Sequence, residues 1–333
     1  MLQRLLKILF LFISLLLLQF LFPYFLNAYV IQILCLLGIN VILALGLNLI
    51  NGMTGQFSLG HAGFMAIGAY GAAFVSTLCG ATLLRHLAFL HPAYAQTLVF
   101  LIALGFGALL AALAGLLVGI PTLRLKGDYL AIATLGFGEI IRVLITNFEW
   151  LGAAKGLGGI PEYSNLFWIF LFATLTFIVL KNLLSSSKGM ALLAIREDEI
   201  AAASMGIDCS RFKIMAFTLG AFIAGLGGGL YAHLMSYLHP NSFTFMKSVE
   251  YVVMIVLGGT GSLTGTVIAA TLLTFLPELL RFIPAIHLGD TTLNLSDSRM
   301  IIYALLLILI MIGRSNKSPL PLRERVRERG KIN

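Results

Sequence analysis

The stretch QTLVFLIALGFGALLAALAGLLVGI, residues 96–120, carries no charged side chain over its whole length. An α-helix needs about 20 apolar residues to cross the hydrocarbon core of a bilayer. Apolar stretches of comparable length recur along most of the chain. Lipid offers no hydrogen-bond partners, so only helices or closed barrels can span it, and barrel strands would show alternating segments instead. The sequence therefore predicts an all-α, polytopic membrane protein.

The composition of the 333-residue, 36.1-kDa chain excludes two broad classes of protein. Hydrophobic residues make up 59% and charged residues only 11%, and the mean hydropathy is +0.98. A water-soluble globule carries about 25% charged residues, and disordered chains are polar and rich in charge. The 34 glycines are instead typical of helices that pack closely in lipid.

Ten crossings account for the apolar stretches, and we expect the first helix to be retained rather than removed as a signal peptide. The predicted spans cover approximately residues 5–22, 28–50, 58–79, 96–120, 129–148, 165–182, 211–236, 246–259, 264–284 and 299–313. A glycine-rich break at 258–265 leaves an alternative open, because it could be the tip of a re-entrant half-helix. The chain would then have eight crossings plus a re-entrant segment. The number of crossings would still be even, so both termini would still lie on the same side of the membrane.

The positive charges predict how these spans are oriented. Most of the 22 Lys and Arg residues fall in segments that share a side with the N-terminus. Cytoplasmic segments carry such an excess, so both termini are expected in the cytoplasm. We expect a single transmembrane domain, 1–313, followed by a basic cytoplasmic tail, 314–333. The net charge of +8 thus indicates orientation and contact with membrane lipid rather than with nucleic acid.

The sequence contains no cluster of residues that would carry catalysis or bind a metal. Three cysteines lie far apart and predict neither a disulfide framework nor a metal site. No zinc-binding histidine pattern and no nucleophile–base–acid set occurs. The glycines at 225–229 lack the Lys-Ser/Thr pair of a phosphate-binding loop and favour helix packing.

The longest internal polar loop, 185–210, predicts one short amphipathic helix from Met190 to Met205. The apolar stripe contains Leu192, Ile195, Glu199, Ala202 and Met205, and the opposite side contains Arg196, Glu197 and Asp198. Gly206 stands where a helix end favours a left-handed residue. Two interpretations remain open: the apolar face enters a groove on a partner protein, or it lies on lipid headgroups.

Polar side chains interrupt the second and third predicted spans, between residues 46 and 63. Asn48, Gln56 and His61 could hydrogen-bond a polar solute if the glycines here create irregular backbone beside a cavity. Alternatively, Asn48 and His61 join helices by hydrogen bonds. A simpler interpretation makes 51–55 a cytoplasmic turn, with Ser58 as the N-cap of the next helix.

Glu139 and Arg142 fall inside an otherwise apolar predicted span. A charge at the bilayer centre costs about 2.5–3.5 kcal/mol on insertion scales, so the two side chains should face the bundle interior or water. At a spacing of three residues they can pair on one helix face. The pair either holds helices together or lines a solute path.

Four separated segments resemble one protein family, in the same order along the chain. The segments are 46–70, 125–142, 194–202 and 256–262. They closely resemble permease subunits of branched-chain amino acid ABC importers of the LivM-like type, and the likeness runs from about 38 to 312. Loop 185–210 resembles the coupling loop of such permeases, in which Glu-Ala-Ala is followed by three residues and Gly. Here the glutamate is displaced by one position.

The resemblance implies a function for the whole chain and roles for particular residues. The chain would form half of a translocation pore in the bacterial inner membrane, beside a second permease subunit, two ATP-binding cassette subunits and a periplasmic amino-acid-binding protein. ATP and Mg²⁺ would bind the partner ATPases, and this chain would bind no cofactor and would not be an enzyme. Residues expected to couple to the ATPase are Arg196, Glu197, Asp198, Glu199, Ala201, Ala202 and Gly206. Residues expected along the path are Asn48, Gln56, His61, Glu139 and Arg142.

Two alternatives to this function remain at the level of sequence. The same type of importer could carry urea, short amides or other amino acids. An ion-gradient secondary transporter would need no ATPase and would use buried ionisable residues near the midplane. Glu139 and Arg142 are the clear candidates for that role, and the 190–205 helix would then have no function.

Overall fold

The computed structural model describes residue 19, residues 25–86, 91–123, 125, 127–281, 286–288 and 291–293, and residues 305 and 308. The chain divides into two compact units, 1–274 and 275–333. Within the described residues, six helical segments are long and apolar enough to cross a membrane. These segments are Ala28–Met53, His61–Cys79, Pro92–Thr122, Asp128–Asn147, Leu166–Leu184 and Cys209–Met235. The all-α, polytopic architecture predicted from the sequence is confirmed.

The helices follow one another with short connections. In chain order they are α1 Ala28–Leu47, α2 His61–Phe74, α3 Gly80–His86, α4 Pro92–Thr122, α5 Asp128–Asn147, α6 Leu166–Leu184, α7 Ser187–Glu197, α8 Glu199–Ser204, α9 Cys209–Met235, α10 Phe245–Gly258 and α11 Leu263–Arg281. Turns of π-helix extend α1 over Asn48–Met53 and α2 over Val75–Cys79. Short 3₁₀ turns cover Glu149–Leu151, Ala153–Lys155 and Pro240–Phe243.

Two short antiparallel strand pairings complete the described elements. β1, Leu157–Gly158, pairs antiparallel with β2, Tyr237–Leu238. β3, Ile286–Leu288, pairs antiparallel with β4, Thr291–Leu293, in the second unit. Each pairing is short, so the helices dominate the fold.

The number of crossings stays a prediction. The first and last predicted spans, 5–22 and 299–313, lie outside the described residues apart from 19, 305 and 308. α10 has 14 residues, which at about 1.5 Å per residue falls short of the roughly 30 Å hydrocarbon core. A four-residue turn separates it from α11, at the glycine-rich break that left the re-entrant alternative open.

The core of the first unit is formed where α9 packs against α1, α2 and α4. Its glycines permit very close contact: a Cβ atom at Gly68 of α2 would overlap the backbone of Gly225 in α9. A Cβ atom at Gly228 would likewise meet the carbonyl of Met65. The packing role that the sequence predicts for glycines 225–229 therefore has a direct structural basis.

Loops that are predicted to share a side of the membrane meet in the structure. At one end of the bundle, the Tyr237 hydroxyl donates a hydrogen bond to the Lys155 carbonyl beside the β1–β2 pairing. At the other end, the α6–α9 connection reaches Gly52 and the α10–α11 turn. This agrees with the predicted alternation of crossings. Which end faces the cytoplasm stays a prediction.

The glycine contact predicts a sharp difference between two Gly→Ala substitutions. Gly68→Ala should force α2 and α9 apart and lower the free energy of unfolding by about 1–3 kcal/mol, the usual range for overpacking. Gly105→Ala, in α4, should be neutral or stabilising because no atom lies within 4 Å of the new methyl group. Thermal unfolding of the detergent-solubilised protein would compare them. Equal melting temperatures would contradict the packing role.

Candidate functional site

The predicted coupling loop folds as two helices rather than one. α7 ends at Glu197, and Asp198 takes an extended conformation with φ −156° and ψ 111°. Its Oδ1 accepts hydrogen bonds from the backbone N–H groups of Ile200 (2.9 Å) and Ala201 (3.1 Å). The prediction of one continuous helix is therefore wrong, because Asp198 serves as the N-cap of a new helix, a position that favours its short acidic side chain.

The predicted apolar stripe packs mostly inside the chain. Leu192, Ile195 and Ala202 are buried. Ile195 and Ala202 form a small cluster with Cys209, against which Ile207 and Phe212 pack. These three side chains therefore pack inside the chain, and the coupling of Ala202 to an ATPase stays a prediction.

Met205, from the predicted stripe, and two apolar side chains outside it face outward. Met190, Ile200 and Met205 are 62%, 78% and 83% exposed. Acidic side chains accompany them, since Glu197 is 81% exposed at its side chain. The outer surface of α7–α8 thus combines large apolar groups with carboxylates.

Two further contacts fix the position of α8. Lys213 Nζ lies 2.8 Å from Glu199 Oε1, which ties α8 to α9. Gly206 has a φ of +84°, and the N–H groups of Gly206 and Ile207 donate to the carbonyls of Ala203 (3.0 Å) and Ala202 (3.1 Å). These are the two bonds of a Schellman motif, so the left-handed helix end predicted at Gly206 is confirmed.

Arg196 leaves the outer surface and reaches across to another part of the bundle. Its Nη1 donates a 3.0 Å hydrogen bond to the carbonyl of Gly52, 144 positions away in the chain. Gly52 belongs to the π-helical turn that ends the first described span. The α7 helix is thereby connected directly to that turn.

Asn48 occupies the start of the same π-helical turn and is completely buried. Its Nδ2 donates to Thr266 Oγ1 (3.0 Å) and to the Ser262 carbonyl (3.2 Å), and its Oδ1 accepts from the Gly261 N–H (3.0 Å). The side chain therefore holds the end of the first described span to the α10–α11 turn. In this arrangement its polar atoms are used within the chain.

The backbone between the first two described spans is not helical from Thr54 to Gly60. Ser58 is not an N-cap, because α2 begins at His61, two residues later than that interpretation requires. Ser58 instead pairs with Asn51: its N–H donates to Asn51 Oδ1 (3.1 Å), and Asn51 Nδ2 donates to its carbonyl (3.2 Å).

Other helices provide the partners for the start of α2. Thr134 Oγ1, in α5, accepts from the Leu59 N–H at 3.0 Å. Ser248 Oγ, in α10, accepts from the Ala62 N–H at 2.9 Å and so caps α2 from outside. The irregular segment is therefore held between α5 and α10.

Gln56 lies on this segment and His61 is the first residue of α2, and both side chains are buried. Within the described residues, neither polar atom of the Gln56 side chain has a hydrogen-bond partner. The His61 ring nitrogens make no hydrogen bond of ordinary geometry, although they lie near the Leu43 backbone, and the ring meets the edge of Tyr251 at 6.1 Å. A buried polar group without a partner costs about 1–3 kcal/mol.

Glu139 and Arg142 form the predicted ion pair, with 2.7 Å between Oε2 and Nε. Glu139 Oε1 also accepts from the N–H of Phe245, the first residue of α10, at 3.3 Å. Arg142 Nη1 donates to Asn241 Oδ1 at 3.4 Å. Both side chains are about 30% exposed, and the pair connects α5 to the start of α10.

The starts of α2 and α10 lie beside each other at a narrow crevice next to α5. Its walls include Ala62, Gly63, Glu139, Phe245 and Ser248. Helix N-termini carry a partial positive charge of about half a unit each, which favours a carboxylate such as that of Glu139 nearby.

Sequence patterns did not reveal the partners that organise this site. Thr134, Ser248 and Thr266 bond to residues 75, 186 and 218 positions away, respectively. Threonine and serine inside apolar helices usually bond to their own helix, so nothing local marks these three.

The chain matches the family model for the permease component of branched-chain amino acid transport systems over residues 29–311. It is 36% identical to the high-affinity branched-chain amino acid transport system permease protein LivM of Escherichia coli (strain K12), over 91% of this chain and 72% of that protein. It is 34% identical to the LivM of Salmonella typhimurium, over 88% and 70% of the two chains. No solved structure matches this chain.

The chain belongs to this permease family. The resemblance found in the sequence is therefore confirmed. The permease is a multi-pass membrane protein and a transport component rather than an enzyme, and its family works in complexes with other subunits.

A weaker likeness extends to permeases for another solute. The permease is 29% identical to the autoinducer 2 import system permease protein LsrC of Enterobacter sp. (strain 638), over 57% of this chain and 58% of that protein.

The cap at Asp198 predicts a local effect on α8. Asp198→Ala should destabilise α8 by about 1 kcal/mol, because two N–H groups lose their acceptor. Hydrogen exchange at the amides of Ile200 and Ala201 should then become roughly fivefold faster. Glu197→Ala, at an exposed neighbour that caps no helix, is the control. If both variants exchange at the wild-type rate, Asp198 does not cap α8.

Proposed function

We propose that this permease forms half of the translocation pore of an ATP-driven importer for branched-chain amino acids. A second permease subunit would form the other half. Two ATP-binding cassette subunits would bind ATP and Mg²⁺, and a periplasmic binding protein would deliver the solute. The permease would lie in the bacterial inner membrane with both termini in the cytoplasm, and it would bind no cofactor itself.

The outer surface of α7–α8 is the observation that carries this proposal. Large exposed apolar groups such as Ile200 and Met205 mark interaction surfaces, since water disfavours their exposure. The carboxylate of Glu197 beside them disfavours burial in an anionic headgroup layer. A protein partner therefore suits this surface better than lipid, which supports docking to an ATPase.

The surroundings of Glu139 support a solute path beside α5. Gln56 and His61 have unsatisfied polar atoms, and the chain beside them bonds to α5 at Leu59 and to α10 at Ala62. Glu139 and Arg142 remain partly exposed within a predicted span, so their exposed side should face water or polar groups. Asn48 would join the path only in a state in which the α10–α11 turn has moved.

Substitution at the docking surface tests this function. Ile200→Asn should reduce ATP-dependent uptake of labelled leucine at least tenfold, because a central apolar contact in an interface is worth about 2 kcal/mol or more. The amount of permease in the membrane should not change. Copurification of the ATPase subunits with a tagged permease should fall in parallel.

Ile200→Leu is the matched control and should retain uptake. Normal uptake and copurification in Ile200→Asn would reject the docking surface. Uptake that continues after ATP depletion but stops when ion gradients are dissipated would identify a secondary transporter. Accumulation of urea or short amides in place of leucine would replace branched-chain amino acids as the proposed solute but would still support an ATP-driven importer.

The ion pair makes a separate prediction about the path. Glu139→Gln should reduce leucine uptake about tenfold, because Arg142 loses its charged partner while the amide oxygen can still accept from the Phe245 N–H. Glu149→Gln removes an exposed carboxylate near the end of the same helix and serves as the control. Wild-type uptake in the Glu139 variant would make the ion pair irrelevant to transport.

A further inference from the structure

Arg196 lies in a slot that is walled by glycines from two distant turns. Its side chain passes Gly55, reaches the Gly52 carbonyl, and ends beside Gly261 of the α10–α11 turn. A Cβ atom at Gly261 would overlap Arg196 Nη1, and one at Gly52 would overlap Asn48 Oδ1 and Gly261 N. The slot therefore depends on glycine at positions 52 and 261.

Asn48 extends this contact by one more step. It belongs to the same π-helical turn as Gly52, and it bonds to Gly261, Ser262 and Thr266. Movement of Gly52 must therefore displace the α10–α11 turn or break these bonds. A continuous set of hydrogen bonds leads from α7 through the end of the first described span to α11.

The contact uses the side chain that is best suited to it. A guanidinium is always charged and presents its donors in a rigid, planar fork. Arg196 is 32% exposed at its side chain, and Glu197 Oε1, at 4.0 Å, is too distant for a hydrogen bond. The described hydrogen bond from the Arg196 guanidinium therefore goes to the π-helical turn, across the bundle.

We propose that Arg196 is a positioning residue that transmits movement of α7–α8 to the inner end of the solute path. This inference rests on the proposed function, because an ATPase must move α7–α8. The Lys213–Glu199 pair ties α8 to α9, so α7 and α8 move with a transmembrane helix. The Arg196–Gly52 bond adds a second route, to the π-helical turn that leads into the irregular segment and Gln56.

The ratio of leucine transported to ATP hydrolysed, in proteoliposomes that contain the complete complex, distinguishes transmission from simple support. Arg196→Gln should reduce this ratio at least tenfold while the complex still assembles and hydrolyses ATP. Arg196→Lys should give an intermediate ratio, because it keeps the charge and loses the fork. Arg211→Gln is the matched control, since that arginine is 87% exposed and pairs locally with Asp208.

Substitutions at two threonines of α11 test the contact between Asn48 and α11 without changing any charged residue. Thr266→Val removes the hydroxyl that accepts from Asn48 and should also reduce the ratio. Thr271→Val, about one and a half turns further along α11, removes a hydroxyl whose hydrogen bond, within the part of the chain that the structure describes, goes to the Val267 carbonyl of its own helix. It should leave the ratio at the wild-type value.

Three outcomes would overturn the inference. The ratio could stay at the wild-type value in the Arg196 and Thr266 variants. Uptake and ATP hydrolysis could fall together with the amount of assembled complex. That result is expected if the Arg196–Gly52 bond only supports the fold. Arg211→Gln could match Arg196→Gln, which would indicate a general charge effect. Absence of ATP-driven leucine uptake by the wild-type complex would instead reject the proposed function.

Discussion

Irregular backbone within a bilayer must find every hydrogen-bond partner inside the protein, and the segment after the first described span is built around this constraint. The Ser58 backbone bonds to Asn51 and the Leu59 N–H bonds to Thr134. Just after the segment, the Ala62 N–H bonds to Ser248. Two of these partners come from α5 and α10. The position of those helices therefore depends on the same bonds that allow the chain to leave helical geometry before α2.

The permease combines two kinds of packing with different mechanical properties. α2, α4 and α9 meet through glycines, and such close contact permits little sliding. The Leu59 and Ala62 N–H groups bond to α5 and α10, and Arg196 bonds to the π-helical turn, each bond worth about 0.5–1.5 kcal/mol net. Gly60 and Gly63 also bring the start of α2 close to α5. Breaking one of these single bonds therefore costs less free energy than separating helices whose glycine backbones are in contact.

The sequence predicted what depends on local pattern and missed what depends on distant contacts. Hydrophobic length predicted the membrane helices, the three-residue spacing predicted the Glu139–Arg142 pair, and Gly206 predicted its own left-handed geometry. The break at Asp198 was missed because the apolar stripe continues across it in sequence. The Arg196–Gly52 contact joins residues 144 positions apart, and only the unusual density of glycines hinted at close approach.

Charge at Glu139 is tolerable because three independent contributions offset its desolvation. Arg142 supplies the opposite charge, and the Phe245 N–H supplies a hydrogen bond. The positive end of α10 begins at that same N–H, and the start of α2 lies at the same crevice. Arg142 in turn donates to Asn241, so its charge is shared between α5 and the turn before α10. A neutral pair would need none of this arrangement. The Glu139–Arg142 pair, the Phe245 N–H and the starts of α2 and α10 therefore stabilise one another electrostatically. Displacing α10 from α5 would expose all of these groups to solvent together.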